Sequence, residues 1–99
     1  MKITSIQQDL SLLYNRAKKK FEDCIGNEDN EFLKVEVGIP LDDIIIIEKD
    51  IKIVFSKRDF EYYLFEVSLM LFDRNKEIGK YLYIENQSEN AIDDSLIFY

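Results

Sequence analysis

Twenty carboxylates in 99 residues are the groups of this sequence best able to do chemistry, and several are adjacent: Asp42 with Asp43, Asp93 with Asp94, Asp29 near Glu31. Paired carboxylates can share acid and base roles in hydrolysis or hold a divalent cation. The partners such chemistry needs are missing. The chain has no histidine, which removes the commonest general base, the Ser-His and Cys-His pairings, and the commonest transition-metal ligand. Gly26, Gly38 and Gly79 stand too far apart to form a phosphate-cradling loop. With one cysteine, Cys24, and no histidine, a zinc site within one chain is not expected. Acidic pairs are inevitable at this abundance, so their first reading is a solvated acidic surface. The chain is expected to be no enzyme, with no catalytic residue, metal or cofactor.

The charge is unevenly placed. Residues 1–20 carry five basic groups, Lys2, Arg16, Lys18, Lys19 and Lys20, against Asp9, and the rest of the chain carries eight against nineteen acidic, for a total of −7. Most of this surface would repel a nucleic acid and would steer a basic protein toward it. The "RAKKK" run is short and lacks interleaved aromatics, so it reads as a solvated helix face and no direct nucleic-acid contact is expected. No apolar run approaches the roughly 18 to 20 residues of a membrane span. "MKITSIQQDL" lacks the apolar core of a secretory signal. A cytoplasmic location is expected, and a single cysteine agrees with a reducing compartment.

The elements that must position these charges follow from periodicity. Ser5 followed by Gln8 has the spacing of a capping box, and Ile6, Leu10, Leu13, Ala17, Phe21 and Cys24 recur at helical spacing behind it. One amphipathic helix is expected over 5–25, with the lysines in its C-terminal half complementing the macrodipole and Gly26 as the stop. Cys24 falls on the apolar stripe and reads as core. Leu33, Val35, Val37 and Ile39 alternate with polar residues as in a half-buried strand that Pro40 ends. Further strands are expected at 44–48, 51–56, 60–72, 80–85 and 95–99, with "EKD" as a hairpin connection between the first two and "NQSENAIDD" as a polar loop. The fold class is α+β: one domain over 1–99, with the N-terminal helix packed on a mostly antiparallel sheet of five to six strands.

The strand over 60–72 has two unlike rows. Tyr63, Phe65, Val67, Leu69 and Leu71 are all apolar and are expected beneath the helix. Phe60, Tyr62, Leu64, Met70 and Phe72, set around Glu66 and Ser68, then face elsewhere. Tyr and Met rimmed by charge is the composition of a contact surface, unless the sheet curls to cover it. The candidate partner-binding residues are Asp42, Asp43, Glu48 and Asp50 at the ends of the isoleucine strand, Tyr62 and Glu66 on this row, and Glu85, Glu89, Asp93 and Asp94 on the acidic loop.

Size, acidity, a helix-plus-sheet plan and the absence of catalytic groups together give a chain that resembles, over its whole length, the immunity proteins of bacterial contact-dependent growth inhibition and polymorphic toxin systems. The Ile, Lys and Asn richness of "IIIIEKDIKI" and "NEDNE" suits an AT-rich, mobile bacterial gene. The resemblance implies a monomer that binds, one to one, the basic C-terminal toxin domain of a larger protein, a nuclease acting on tRNA, other RNA or DNA. A secretion chaperone or a phage-encoded inhibitor of a host nuclease is the alternative.

Overall fold

The computed structural model describes residues 3–26, 43–55 and 62–99. Helix α1 spans Ile3–Gly26, close to the expected 5–25. Leu13, Ala17 and Phe21, four residues apart, are 3%, 0% and 1% exposed and form its buried stripe, with Tyr14 and Ile25 packed at the margins. Helices in proteins draw most of their stability from packing an amphipathic face, here that buried stripe. The last turn holds no basic residue, so Lys18–Lys20 lie too far back to complement the dipole, which is felt within the final turn. Lys18 Nζ instead pairs with Glu48 at 2.5 Å.

Four strands follow: β1 (Ile45–Phe55), β2 (Tyr63–Asp73), β3 (Lys76–Asn86) and β4 (Ala91–Phe98). They form one antiparallel sheet in chain order, with β1 and β4 at its edges among the described residues. The α+β plan of one helix on an antiparallel sheet is therefore present, with four described strands where five to six were expected. The expected strand over 32–39 lies outside the described residues. The two short strands expected at 44–48 and 51–56 are one strand, because "EKD" makes a register shift between Glu48 and Asp50 and not a hairpin. The reason is local: "EKD" lacks the glycine or Asn-Gly of a two-residue turn, and β2 is long enough to pair with both halves.

The loops are shorter than the polar stretches that suggested them. Arg74 and Asn75 alone join β2 to β3, and Arg74 takes the left-handed φ of 58° that such a turn requires. The β3–β4 turn is closed by Asn86, whose Oδ1 accepts from the amides of Ser88 and Asn90, with Glu89 at φ 64°. The "AIDD" segment placed in a loop by its polarity belongs to β4; an edge strand faces solvent widely and has no need of strict apolar alternation.

The core lies between α1 and one sheet face. Val67, Leu69 and Leu71 of β2 are fully buried there beside Tyr81 and Tyr83 of β3, whereas Tyr63 and Phe65, expected under the helix with them, are half-buried. Phe21 meets Tyr81 edge-on, with ring centroids 5.4 Å apart. Gly79 completes the packing by its lack of a side chain. A Cβ there would lie 2.4 Å from the Ile97 carbonyl oxygen and 3.0 Å from the Phe98 ring, which sits opposite it in the ladder. Among the described residues no helix is long and apolar enough to cross a membrane.

Candidate protein-contact surface

Strand alternation sorts the acidic residues between the two sheet faces. In "YLYIE", Tyr81, Tyr83 and Glu85 share the face beneath α1. Glu85 ends the strand expected over 80–85 and lies in β3, but it is 1% exposed, so this candidate contact residue at the start of the acidic segment is buried. Its carboxylate is held on both oxygens. Arg16 Nε donates to Oε2 at 3.0 Å, Arg16 Nη2 to Oε1 at 2.6 Å, and the Tyr83 hydroxyl to Oε2 at 2.7 Å. A fork of this kind is the strong form of an ion pair and joins the middle of α1 to the end of β3. The hydrogen bond to Glu85 holds the guanidinium above its ordinary pKa, and burial first, then the same carboxylate, pushes the Tyr83 hydroxyl up to about 12.

Arg16 was read as part of a solvated basic run, and the structure turns its head inward. The signal was present in its place three residues after Leu13 and one before Ala17, at the edge of the apolar stripe. Tyr81 has a parallel arrangement: its hydroxyl donates to Asp94 at 2.7 Å, and burial, with this bond second, raises it above the ordinary tyrosine range. Burial likewise raises the Cys24 thiol, which favours its protonated form, although Cys24, expected in the core, is only half-buried.

The other candidate residues spread widely. Asp42 lies outside the described residues. Asp43 is exposed just before β1, and Tyr62 is exposed just before β2. Glu48 and Asp50, expected at strand ends, lie in the middle of β1 on either side of its register shift. Glu48 shares the helix side, where Lys18 meets it. Asp50 and Glu66 are half-buried, opposite Ser68 and Lys52 respectively, on the face away from the helix. Glu89 is exposed in the β3–β4 turn. Asp93 and Asp94 are exposed in successive positions of β4, so one projects to each side of the sheet edge.

The structure therefore brings together Glu89, Asp93 and Asp94 along one edge and separates them from Asp43, Tyr62 and Glu48. Exposed Ile92, Ile97 and Tyr99 interleave with them on that edge. Among the described residues no cation pairs with Glu89, Asp93 or Asp94, and no three carboxylate or cysteine groups are placed to hold a metal ion. Such an edge can offer uncompensated negative charge and apolar contact together, and it presents no activated nucleophile. Compared with protein-family models, curated proteins and solved structures, the chain has no match in any of the three.

Proposed function

We propose that this chain is an acidic binding protein that neutralises a basic partner, in the manner of an immunity protein occupying a cognate nuclease toxin domain. The observation that carries the reading is the β4 edge, where Glu89, Asp93 and Asp94, which pair with no cation among the described residues, lie beside exposed Ile92, Ile97 and Tyr99. A nuclease site is positive because it must hold phosphates, and a row of carboxylates can take their place. Charge complementarity of this kind raises association rates and suppresses wrong partners, while the apolar side chains between the charges supply burial. The net charge of −7 adds a long-range field of the same sign.

Co-expression with the product encoded immediately upstream tests the reading. The expected result is that the neighbour is toxic alone, harmless in the pair and retained by this protein. A neighbour that is neither toxic nor bound overturns it. For the complex, the association rate should fall steeply between low and physiological salt.

A further inference from the structure

The sheet has two free edges among the described residues, β1 and β4, and they are not equivalent. Natural edges are blunted by lysines, by bulges and by covering segments. Strand β1 carries Lys49 and Lys52, and its register shift falls mid-strand, between Glu48 and Asp50. On β4 the shift falls at the start, opposite Ile84 and Glu85, and from Asp93 to Phe98 the ladder runs without interruption. That stretch, "DDSLIF", has no lysine, proline or glycine.

The main chain of this edge is left open in a definite pattern. The Tyr99 amide donates to the Ile78 carbonyl, and in an antiparallel ladder hydrogen-bonded and non-bonded pairs alternate. Residues 93, 95 and 97 therefore turn their backbone groups toward β3, and Asp94, Leu96 and Phe98 turn theirs outward. The Asp94 amide is taken by Asp93 Oδ1 at 2.9 Å. The Asp94 carbonyl and the amides and carbonyls of Leu96 and Phe98 have no backbone partner among the described residues. The strand itself is anchored: Leu96 and Phe98 pack on the core, Tyr81 bonds to Asp94, and Gly79 admits β4 at close range. An edge already fixed in place loses little entropy when another chain pairs with it.

We propose that β4 receives a basic strand of the partner, which extends the sheet by main-chain pairing along Asp94–Phe98. The choice of a basic occupant rests on the neutralising function proposed for the chain. Strand addition draws affinity from backbone hydrogen bonds and specificity from side chains at alternate positions. Asp93 and Asp94 project to opposite sides of the edge, so a cation on either face of the added strand meets a carboxylate. An acidic strand meets like charge on both faces and is rejected. Glu89, in the turn before β4, adds charge at the same end. Ile97 on one face and Leu96 and Phe98 on the other give the added strand apolar neighbours.

Three capped peptides titrated into the ¹⁵N-labelled chain test the mode of docking: alternating lysine and valine, alternating glutamate and valine, and the lysine peptide N-methylated at every residue. The lysine peptide should give saturating shifts at Asp94, Leu96 and Phe98 and, at saturation, slow hydrogen exchange of the Leu96 and Phe98 amides at least about tenfold. The glutamate peptide should give no shift. The N-methylated peptide keeps the charge but cannot donate from its main chain, and it should bind at least about tenfold more weakly than the lysine peptide. Asp93→Lys, at an exposed position, should weaken the lysine peptide about fivefold and leave the Val67 and Leu69 amides in place. No saturable shift on β4, protection on β1 instead, equal binding by the N-methylated peptide, or a dimer of the chain that protects the same amides would each overturn the proposal. These readouts need no toxin, so their failure removes strand addition alone, and the neutralising function is judged separately by co-expression.

Discussion

Strand β2 presents two faces from one ladder, and they differ in kind. Val67, Leu69 and Leu71 are fully buried under α1, whereas Glu66, Ser68, Met70 and Phe72, alternating with them, are half-buried on the other side. The backbone pairing is common to both rows, so hydrogen bonding cannot account for the difference. What separates them is the cover: Leu13, Ala17 and Phe21 take Val67, Leu69 and Leu71 out of water, and the even row must tolerate water and so mixes charge, hydroxyl and apolar groups. The lesson extends to the acids. Beneath the helix Glu85 is tied down by Arg16 and Tyr83, while Asp93 and Asp94 at the edge stay exposed. A carboxylate is tied to the helix on one side of this sheet, while at the rim Asp93 and Asp94 stay exposed even though Asp94 accepts from the Tyr81 hydroxyl.

The comparison breaks first if the two rows respond alike to truncation. Leu69→Ala should cost about 3–5 kcal/mol in denaturant unfolding, because the cavity adds to the lost transfer energy, and Met70→Ala should cost under about 1.5 kcal/mol. Equal losses would mean that the helix does not define the core. Next, Arg16→Met should cost about 3 kcal/mol by leaving the Glu85 carboxylate buried without its cation. The double variant Arg16→Met/Glu85→Met should recover more than half of that, since the cost lies in the orphaned charge; no recovery would assign it to packing by the arginine stem.

Gly79→Ala should cost about 1–3 kcal/mol, as β4 must move to admit a Cβ against backbone, and a neutral effect would show that the β3–β4 approach is loose. The pH response is smaller at moderate alkalinity. Tyr83 titrates near 10.0 unfolded and about 12 folded, so the fold binds the extra proton between those values and stability is intact below pH 10. Tyr83 then lowers stability by about 1 kcal/mol at pH 11, Tyr81, raised further, adds a like share, and Tyr83→Phe should reduce the slope by about half. Asp93→Asn should shift stability by under about 0.5 kcal/mol and Asp94→Asn by up to about 1 kcal/mol through the weakened bond from Tyr81, while together they slow association with a basic partner and weaken its salt dependence. Slow but equally salt-dependent association would move the steering charge elsewhere on the surface.

Much of the fold was legible because its signals are local. The four-residue spacing from Leu13 to Phe21 and the apolar row from Tyr63 to Leu71 each identify an element and the side that faces the core, although only Val67, Leu69 and Leu71 of that row are fully buried. Strand counts were less legible. A register shift at "EKD" and a turn look alike in polarity, and the choice rests on whether β2 offers partners to both halves. Of the candidate site, Asp93 and Asp94 were legible as acidic and exposed, but their place on β4 was not, because an edge strand imposes little pattern on its own sequence.

Taken alone, the amino-acid sequence determined the net charge, the lack of histidine, the amphipathic helix and the face of β2 that would seek it, since each depends on residue type or on spacing within a few turns or pleats. Tertiary structure alone decided the rest. It joined Arg16 to Glu85 across 69 positions and set Glu89, Asp93 and Asp94 on one edge. The physical reason is that strand register, fixed by pairing along whole ladders, places side chains from distant segments within a few ångströms, and no local pattern encodes that pairing.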